Sequence, residues 1–176
     1  MKIKKQGFIH LYTGNGRGKT TSALGLALRA VGAGKKVALI QFMKKPIYSE
    51  HKAIKKYKLP IDVFAYGIGF YKILGDNKPK EAHIAAAQKG FDKAKEIIEK
   101  GKHNVIILDE INIAIGFGLL DVDEVIKILK PKKADIILTG RRAHPKLKKI
   151  ADVITIVENK KHYYDKGVKA RKGIEY

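Results

Sequence analysis

The sequence predicts an α/β domain built on a mostly parallel central sheet of about six strands, with helices on both faces. Two patterns predict it. Short apolar runs of strand length alternate with segments of helical period along the chain, which argues for parallel strands joined by crossover helices. The first of these runs opens into a glycine-rich loop followed at once by an Ala- and Leu-rich helix. Nothing along the 176 residues reads as a linker or an internal repeat, so residues 1–176 form a single domain.

Residues 7–12 (GFIHLY) are the first predicted strand, 14–18 the loop and 19 to about 31 the helix, which Gly32 and Gly34 end. Residues 36–43 (KVALIQFM) read as a second, buried strand and 62–66 (DVFAY) as a third, with a short Lys-rich helix between them. Residues 67–77 form a loop with three Gly and exposed aromatics. Residues 79–100 form a long helix on which Ile84, Ala87, Phe91, Ala94 and Ile98 recur at spacings of three and four, sharing the face expected to pack on the sheet. Three further apolar strands, 104–109, 135–139 and 153–157, alternate with helices at 121–129 and 145–150. Asp121 with Glu124 three residues later, at the front of an apolar helix, is an N-terminal cap rather than a metal site. Residues 160–176 match neither period and are expected to be either a frayed tail or a segment ordered by ligand.

Composition narrows the classes. Hydrophobic residues are 45% of the chain and charged residues 31%, which excludes a disordered body. The longest apolar stretches, such as 104–108 and 134–138, are far below the roughly 20 residues of a spanning helix, so no membrane association is expected. The basic start lacks the apolar core of a signal peptide, which makes a cytoplasmic location the expectation. With no Cys there is no disulfide, thiolate metal site or cysteine nucleophile. The formal charge of +20 comes mostly from Lys, with only Arg17, Arg29, Arg141, Arg142 and Arg171 as arginines. Scattered Lys reads as a soluble surface that also favours anionic ligands. No helix-turn-helix, RNA-recognition or zinc-finger signature accompanies it, so nucleic acid is not an expected partner.

Two motifs carry chemistry. Gly14-Asn15-Gly16-Arg17-Gly18-Lys19-Thr20 lies between predicted strand and helix, the context a phosphate-binding loop requires. Glycines there let backbone N–H groups converge on phosphate oxygens, the helix N-terminus adds positive potential, Lys19 neutralises phosphate charge and the Thr20 hydroxyl can ligate Mg²⁺. Thr13 stands where the general pattern has its first Gly. Val105-Ile106-Ile107-Leu108-Asp109-Glu110 is an apolar strand ending in two carboxylates, one of which holds Mg²⁺ directly or through water. Neighbours on a strand face opposite ways, so Asp109 and Glu110 have different tasks. The six His show no metal-ligand spacing. Together the motifs point to Mg-ATP.

The second substrate comes from a resemblance. Residues 13–21 (TGNGRGKTT), Arg29-Ala-Val-Gly32, Gln41-Phe42, Leu108-Asp-Glu110, Leu138-Thr-Gly-Arg141 and the ending His162-Tyr-Tyr-Asp-Lys-Gly-Val-Lys-Ala-Arg-Lys-Gly-Ile-Glu-Tyr176 resemble the ATP:corrinoid adenosyltransferases. The likeness runs from about Gly7 to the last residue, the ending is its most specific part, and in that family Thr opens the loop.

The resemblance implies a RecA-like phosphate-loop fold, usually a homodimer, and transfer of the 5′-deoxyadenosyl group of ATP to Co(I) of cobalamin or another corrinoid, releasing triphosphate. It implies an external electron donor, a flavodoxin-like protein or reduced flavin. ATP contacts fall on Thr13, Gly14, Asn15, Gly16, Arg17, Gly18, Lys19, Thr20, Thr21, Arg29 and Arg141. Lys19, Thr20 and Glu110 are the catalytic group, and Thr20 and Glu110 hold Mg²⁺. Gly67-Ile-Gly69-Phe70-Tyr71 resembles the family's G-x-G-F-x-W segment, whose aromatics crowd the corrin's lower face, with Lys72 where that segment has Trp. Gly69, Phe70, Tyr71 and, in the tail of residues 160–176 near the active site, His162 are the corrinoid candidates. A nucleoside kinase with Glu110 as base, or a nucleic-acid-stimulated RecA-like ATPase, is the alternative.

Overall fold

The computed structural model describes residues 6–45, 48–72 and 75–176; the basic start through residue 5 and residues 46–47 and 73–74 of the two loops lie outside the described residues. The elements alternate as β1 (Ile9–Thr13), α1 (Lys19–Gly32), β2 (Val37–Gln41), α2 (Ser49–Lys56), β3 (Ile61–Ala65), α3 (Lys80–Lys100), β4 (Val105–Asp109), α4 (Ile111–Gly116), α5 (Val122–Leu129), β5 (Asp135–Thr139), α6 (Pro145–Ile150) and β6 (Val153–Ile156). The six strands form one sheet in the order β3-β2-β4-β5-β1-β6, with every pair parallel.

Side chains that alternate along each strand divide the core in two. Val37, Leu39, Val105, Ile107 and Ile137 meet the small-residue face of α1 (Ala23, Ala27, Ala30) together with Ile54 of α2. Ala38, Ile40, Ile106, Leu108, Ile136 and Leu138 face the opposite layer, supplied by α3, α4, α5 and α6. The centre of the sheet is therefore covered on both sides, as the apolar runs of β2 and β4 without polar alternation require, while the edge strand β6 stays exposed. Leu108 at the centre is fully buried; truncating it to Ala costs about 2–5 kcal/mol.

Four details depart from the sequence reading. The buried stripe of α3 is His83, Ala87, Phe91, Ala94 and Ile98, flanked by Ala86, Gly90 and Ile97, while Ile84 is 37% exposed. The stripe's first turn is set by His83, four residues before Ala87, and Ile84 falls beside it. The β2 ladder stops at Gln41, although Phe42 and Met43 stay buried. A helix not anticipated, α4, follows β4 at once, because Glu110 takes a left-handed conformation (φ 63°) that turns the chain. The tail makes contacts with the body that its sequence does not announce: Arg17 Nη2 donates to the Ile174 carbonyl at 2.6 Å, and Ser49 Oγ donates to the Tyr176 oxygen at 2.8 Å. Asp121 caps α5, accepting from the amides of Asp123 and Glu124. No helix among the described residues is long and apolar enough to cross a membrane.

Candidate functional site

The buried polar residues map the site. Four of them, Thr13, Gln41, Asp109 and Thr139, are the last residues of β1, β2, β4 and β5. In a parallel sheet these carboxyl ends share one edge, where α/β proteins bind their ligands. β2 (VALIQ) and β4 (VIILD) are apolar up to their final position, and β5 is apolar between Asp135 and Thr139, so the core holds the strands and the edge receives one polar group from each.

The glycine-rich loop leaves β1 at this edge. Gly14 and Gly16 are dictated by a close approach: a Cβ on either would fall 2.4 Å from a carbonyl oxygen of the chain leaving β6, Val157 or Glu158. That packing is sealed by the Gly16 amide, which donates to the Val157 carbonyl at 2.7 Å. Thr13 Oγ1 accepts from the Ala143 amide at 3.3 Å and so joins the loop to the turn after β5 that carries Arg141. Lys19 is 6% exposed, and its Nζ donates to the carbonyls of Gly14 (2.9 Å) and Gly16 (2.6 Å). Burial pulls its pKa below the usual value.

Asp109 is fully buried and organises the edge. Its Oδ1 accepts from the hydroxyls of Thr20 and Thr139, both at 2.7 Å, and its Oδ2 from Gln41 Nε2 at 3.0 Å, with Lys44 Nζ 3.6 Å away. Thr139 Oγ1 also accepts from the Glu110 amide at 2.8 Å, so one hydroxyl sets both acidic residues. Burial alone would depress Lys44, but Asp109 and Glu50 outweigh it and hold its pKa above the ordinary value. The network continues outward: His51 Nε2 meets Gln41 Oε1 at 2.6 Å, while His51 Nδ1 accepts from the Tyr48 amide. This pairing requires the Nε2–H tautomer.

Glu110 behaves differently. No hydrogen bond among the described residues ends on its carboxylate. Burial, with Asp109 beside it, pushes its pKa up to about 7 against the opposing pull of Lys19, Lys44 and Arg141. A desolvated carboxylate within the fields of Lys19, Lys44 and Arg141, at the strand end where Asp109 holds the Thr20 hydroxyl, supplies hard oxygen of the kind Mg²⁺ takes when phosphates complete its shell. Asn112 lies alongside, with Nδ2 donating to the Gly140 carbonyl at 3.0 Å and Oδ1 buried without a partner.

The structure thus brings Thr13, Gly14, Gly16, Lys19, Thr20, Glu110 and Arg141 to one edge. Asn15 lines a cleft of about 430 Å³ between the loop and residues 156–159. Arg17, Gly18 and Thr21 line an adjoining cleft of about 440 Å³ with Lys161, His162 and Tyr163. His162 is accordingly placed with the phosphate loop, and no ring contact or hydrogen bond among the described residues joins it to Gly69, Phe70 or Tyr71. Its Nδ1 accepts from the Tyr164 amide and caps the short turn Tyr163–Lys166. Arg29 is not brought to its own chain's loop. It is exposed in the last turn of α1, ten residues beyond Lys19 and so roughly 15 Å along the axis, where a cation suits the helix C-terminus.

A family model described as ATP:corrinoid adenosyltransferase BtuR/CobO/CobP matches residues 5–176. The chain belongs to this family. Among its relatives, the corrinoid adenosyltransferase of Escherichia coli K12 is 34% identical over 175 residues, covering 98% of this chain and 87% of that one. The Sinorhizobium protein of the same name is 34% identical over 180 residues, covering 99% and 83%. Corrinoid adenosyltransferase CobA of Salmonella typhimurium is 33% identical over 176 residues, covering 98% and 87%. Solved structures give the fold. The flagellar accessory protein FlaH of Methanocaldococcus jannaschii superposes with a TM-score of 0.60 at 16% identity, covering 86% of this chain and 71% of that one. A KaiC-like protein of Pyrococcus horikoshii gives 0.56 at 13% identity, covering 89% and 75%. These likenesses show the fold alone, and the six-stranded, all-parallel sheet with helices on both faces has the RecA-like architecture expected.

Within this adenosyltransferase-family fold, sequence reasoning paired Glu110 with Thr20, named Asp109 as the neighbouring carboxylate without giving it a partner, and assigned no site role to Gln41, Thr139 or Lys44, whereas in the structure these three and Thr20 meet at Asp109. A usable signal was present: Gln41, Asp109 and Thr139 each end a strand whose interior is apolar. Lys44 carried none, since its role depends on two carboxylates that only the fold brings near.

Proposed function

We propose that the protein transfers the 5′-deoxyadenosyl group of ATP to the cobalt of a corrinoid. Co(I) supplies the electron pair for the new cobalt–carbon bond to C5′, the C5′–O bond breaks, and its pair leaves on triphosphate. Cobalt is the nucleophile, so the chain needs no general base. Its tasks are to hold C5′ in line, neutralise a departing polyanion and exclude water. The family match over residues 5–176, together with the placement of Lys19, Thr20, Asp109 and Glu110 on one strand edge, carries the reading.

Lys19, the loop amides and Arg141 stabilise charge on the leaving triphosphate. Mg²⁺ would be held by Thr20 and Glu110, supplying further charge neutralisation, and Asp109 orients the Thr20 hydroxyl. Gly69, Phe70 and Tyr71 form the corrinoid-side loop, and the tail of residues 160–176 borders the nucleotide through Arg17 and His162. The electron reaches the corrinoid from an external donor, reduced flavin or a flavodoxin-like protein. A homodimer working in the cytoplasm completes the proposal, with Arg29 serving the nucleotide from a second copy. Neither the kinase nor the nucleic-acid-stimulated ATPase reading accounts for the family match.

An anaerobic assay with Mg-ATP and chemically reduced cob(I)alamin tests this directly. Loss of the Co(I) spectrum with formation of light-sensitive adenosylcobalamin and triphosphate is the expected result. Persistent Co(I) with ADP accumulating would overturn it.

A further inference from the structure

Seven polar or charged residues are buried among the described residues, and six of them surround the phosphate loop: Thr13, Lys19, Gln41, Asp109, Asn112 and Thr139. The seventh, His83 in the first turn of α3, belongs to a separate network. Its side chain is 2% exposed and that of its partner Asp76 is 7% exposed, with Nε2 lying 3.2 Å from Oδ1 and 3.1 Å from Oδ2. A buried, paired imidazole on a helix face otherwise given to Ala, Gly, Phe and Ile costs desolvation that apolar packing would not. What that pair holds is the segment carrying Phe70.

Asp76 Oδ2 accepts from the Lys72 amide at 3.1 Å, and Oδ1 from the Lys78 amide at 3.4 Å. Burial alone would raise the Asp76 carboxyl, but the donors from His83, Lys78 and Lys72 outweigh it and hold its pKa below the usual value. The other face of the His83 ring lies 5.0 Å from Tyr71, which also stands edge-on to Phe117 at 5.4 Å. Tyr71 is thereby built into the wall. At the opposite end, Gly67 lies so close to the backbone of Met43 that a Cβ would fall 2.1 Å from the Met43 carbonyl carbon. Phe70 therefore sits between two anchors: one is the exit of β2, beside Lys44 of the nucleotide network, and the other is the His83–Asp76 pair.

We infer that His83 and Asp76 are positioning residues for corrinoid binding, fixing the Lys72 backbone and the Tyr71 ring so that Phe70 is the aromatic group presented to the corrin. The inference rests on the adenosyltransferase reading. It also gives Tyr71 a supporting part in place of a direct contact, and explains how a chain with Lys72 at the Trp position of the family segment still holds a shaped aromatic surface.

The test compares wild type, His83→Ala, Asp76→Ala and His83→Gln, the last of which keeps an N–H donor toward Asp76. kcat/KM for cob(I)alamin should fall about tenfold in the two Ala variants, with KM for ATP within about twofold of wild type and His83→Gln recovering most of the loss. A second readout needs no activity. The sequence has no Trp, so Lys72→Trp places a sole indole on the anchored backbone, and adding His83→Ala or Asp76→Ala should raise its acrylamide quenching. Unchanged corrinoid kinetics with unchanged quenching would overturn the inference. So would equal losses for corrinoid and ATP accompanied by a lowered Tm, since that is general destabilisation. Should wild type itself fail to adenosylate any corrinoid, the functional reading falls, and the quenching comparison alone decides the anchor.

Discussion

The phosphate edge and the Phe70 segment are built on opposite plans. At the edge, four strand ends each contribute a buried polar residue, and two of them, Gln41 and Thr139, converge with Thr20 of α1 on a third, the Asp109 carboxylate. Its shape is set by the sheet, the most rigid part of the molecule. The Phe70 segment hangs from a half-exposed loop and is fixed by one buried, hydrogen-bonded His–Asp pair and two ring contacts. The difference matches the two ligands. A polyphosphate presents the same oxygens every time and suits a cradle of hydrogen bonds, whereas a broad ring gripped on one face, as proposed for the corrin, suits an apolar aromatic surface whose position is set by anchors at its two ends. Polar contacts near the leaving group and an anchored apolar face near the nucleophile follow from that division.

The contrast can be broken most severely at Lys19. Lys19→Ala removes the cation proposed to face the triphosphate and should lower kcat/KM for both substrates by about 10³-fold, measured as Co(I) loss with each substrate varied in turn. Glu110→Gln comes next, with transfer reduced on the order of 10²-fold and a clear pH signature in the ligand-free protein. The native carboxyl has its pKa raised from 4.5 to about 7, so native protein binds the proton more tightly than unfolded chain. The stability that this adds is fully present below about pH 4.5 and is lost as pH rises through 7. Relative to wild type, Glu110→Gln should therefore gain on the order of 3 kcal/mol between those limits, since each pKa unit is about 1.4 kcal/mol. Denaturant melts at pH 4.5, 6 and 8 check the sign, and a difference independent of pH would contradict the burial of an uncompensated carboxylate.

Phe70→Ala sharpens the comparison from the other side. It should cut kcat/KM for corrinoid about tenfold and leave KM for ATP within about twofold, because the segment does not share hydrogen bonds with Asp109. The smallest effect belongs to Ser49→Ala, which deletes the exposed hydrogen bond to Tyr176. Stability should change by about 0.5–1 kcal/mol and turnover by less than about threefold, read by thermal melts and the same assay.

Much of this was legible before folding. Strand, glycine loop and helix follow in order, and the paired carboxylates at the end of VIILD mark the facing strand. The layers on both faces follow from the central strands β2 and β4, whose apolar runs do not alternate with polar residues. Other features were not legible for definite reasons. Strand alternation says that Asp109 and Glu110 point apart, but not which one meets Thr20, since that depends on β1 and β4 being separated by β5 in the sheet. The α3 stripe was read through Ile84 because His was not counted as a core residue, and it is the pairing with Asp76 that makes His83 one. The tail has no period because it forms no long helix or strand. Its order comes from arginine contacts, with Arg17 reaching the Ile174 carbonyl and Arg171 packing 4.8 Å from the Tyr163 ring centre.

The left-handed backbone of Glu110 has a consequence for how the protein can change over evolution or in the laboratory. A residue with a Cβ at φ 63° stores about 1 kcal/mol or more of strain that glycine would not, and it does so at the turn that starts α4. Selection for heat resistance alone would thus favour Glu110→Gly, and the first variants recovered from such a screen should include proteins that melt higher and no longer transfer the adenosyl group. On the role proposed for Glu110, robustness and activity pull against each other at position 110, and a thermostable form of this enzyme has to find its added stability elsewhere in the chain.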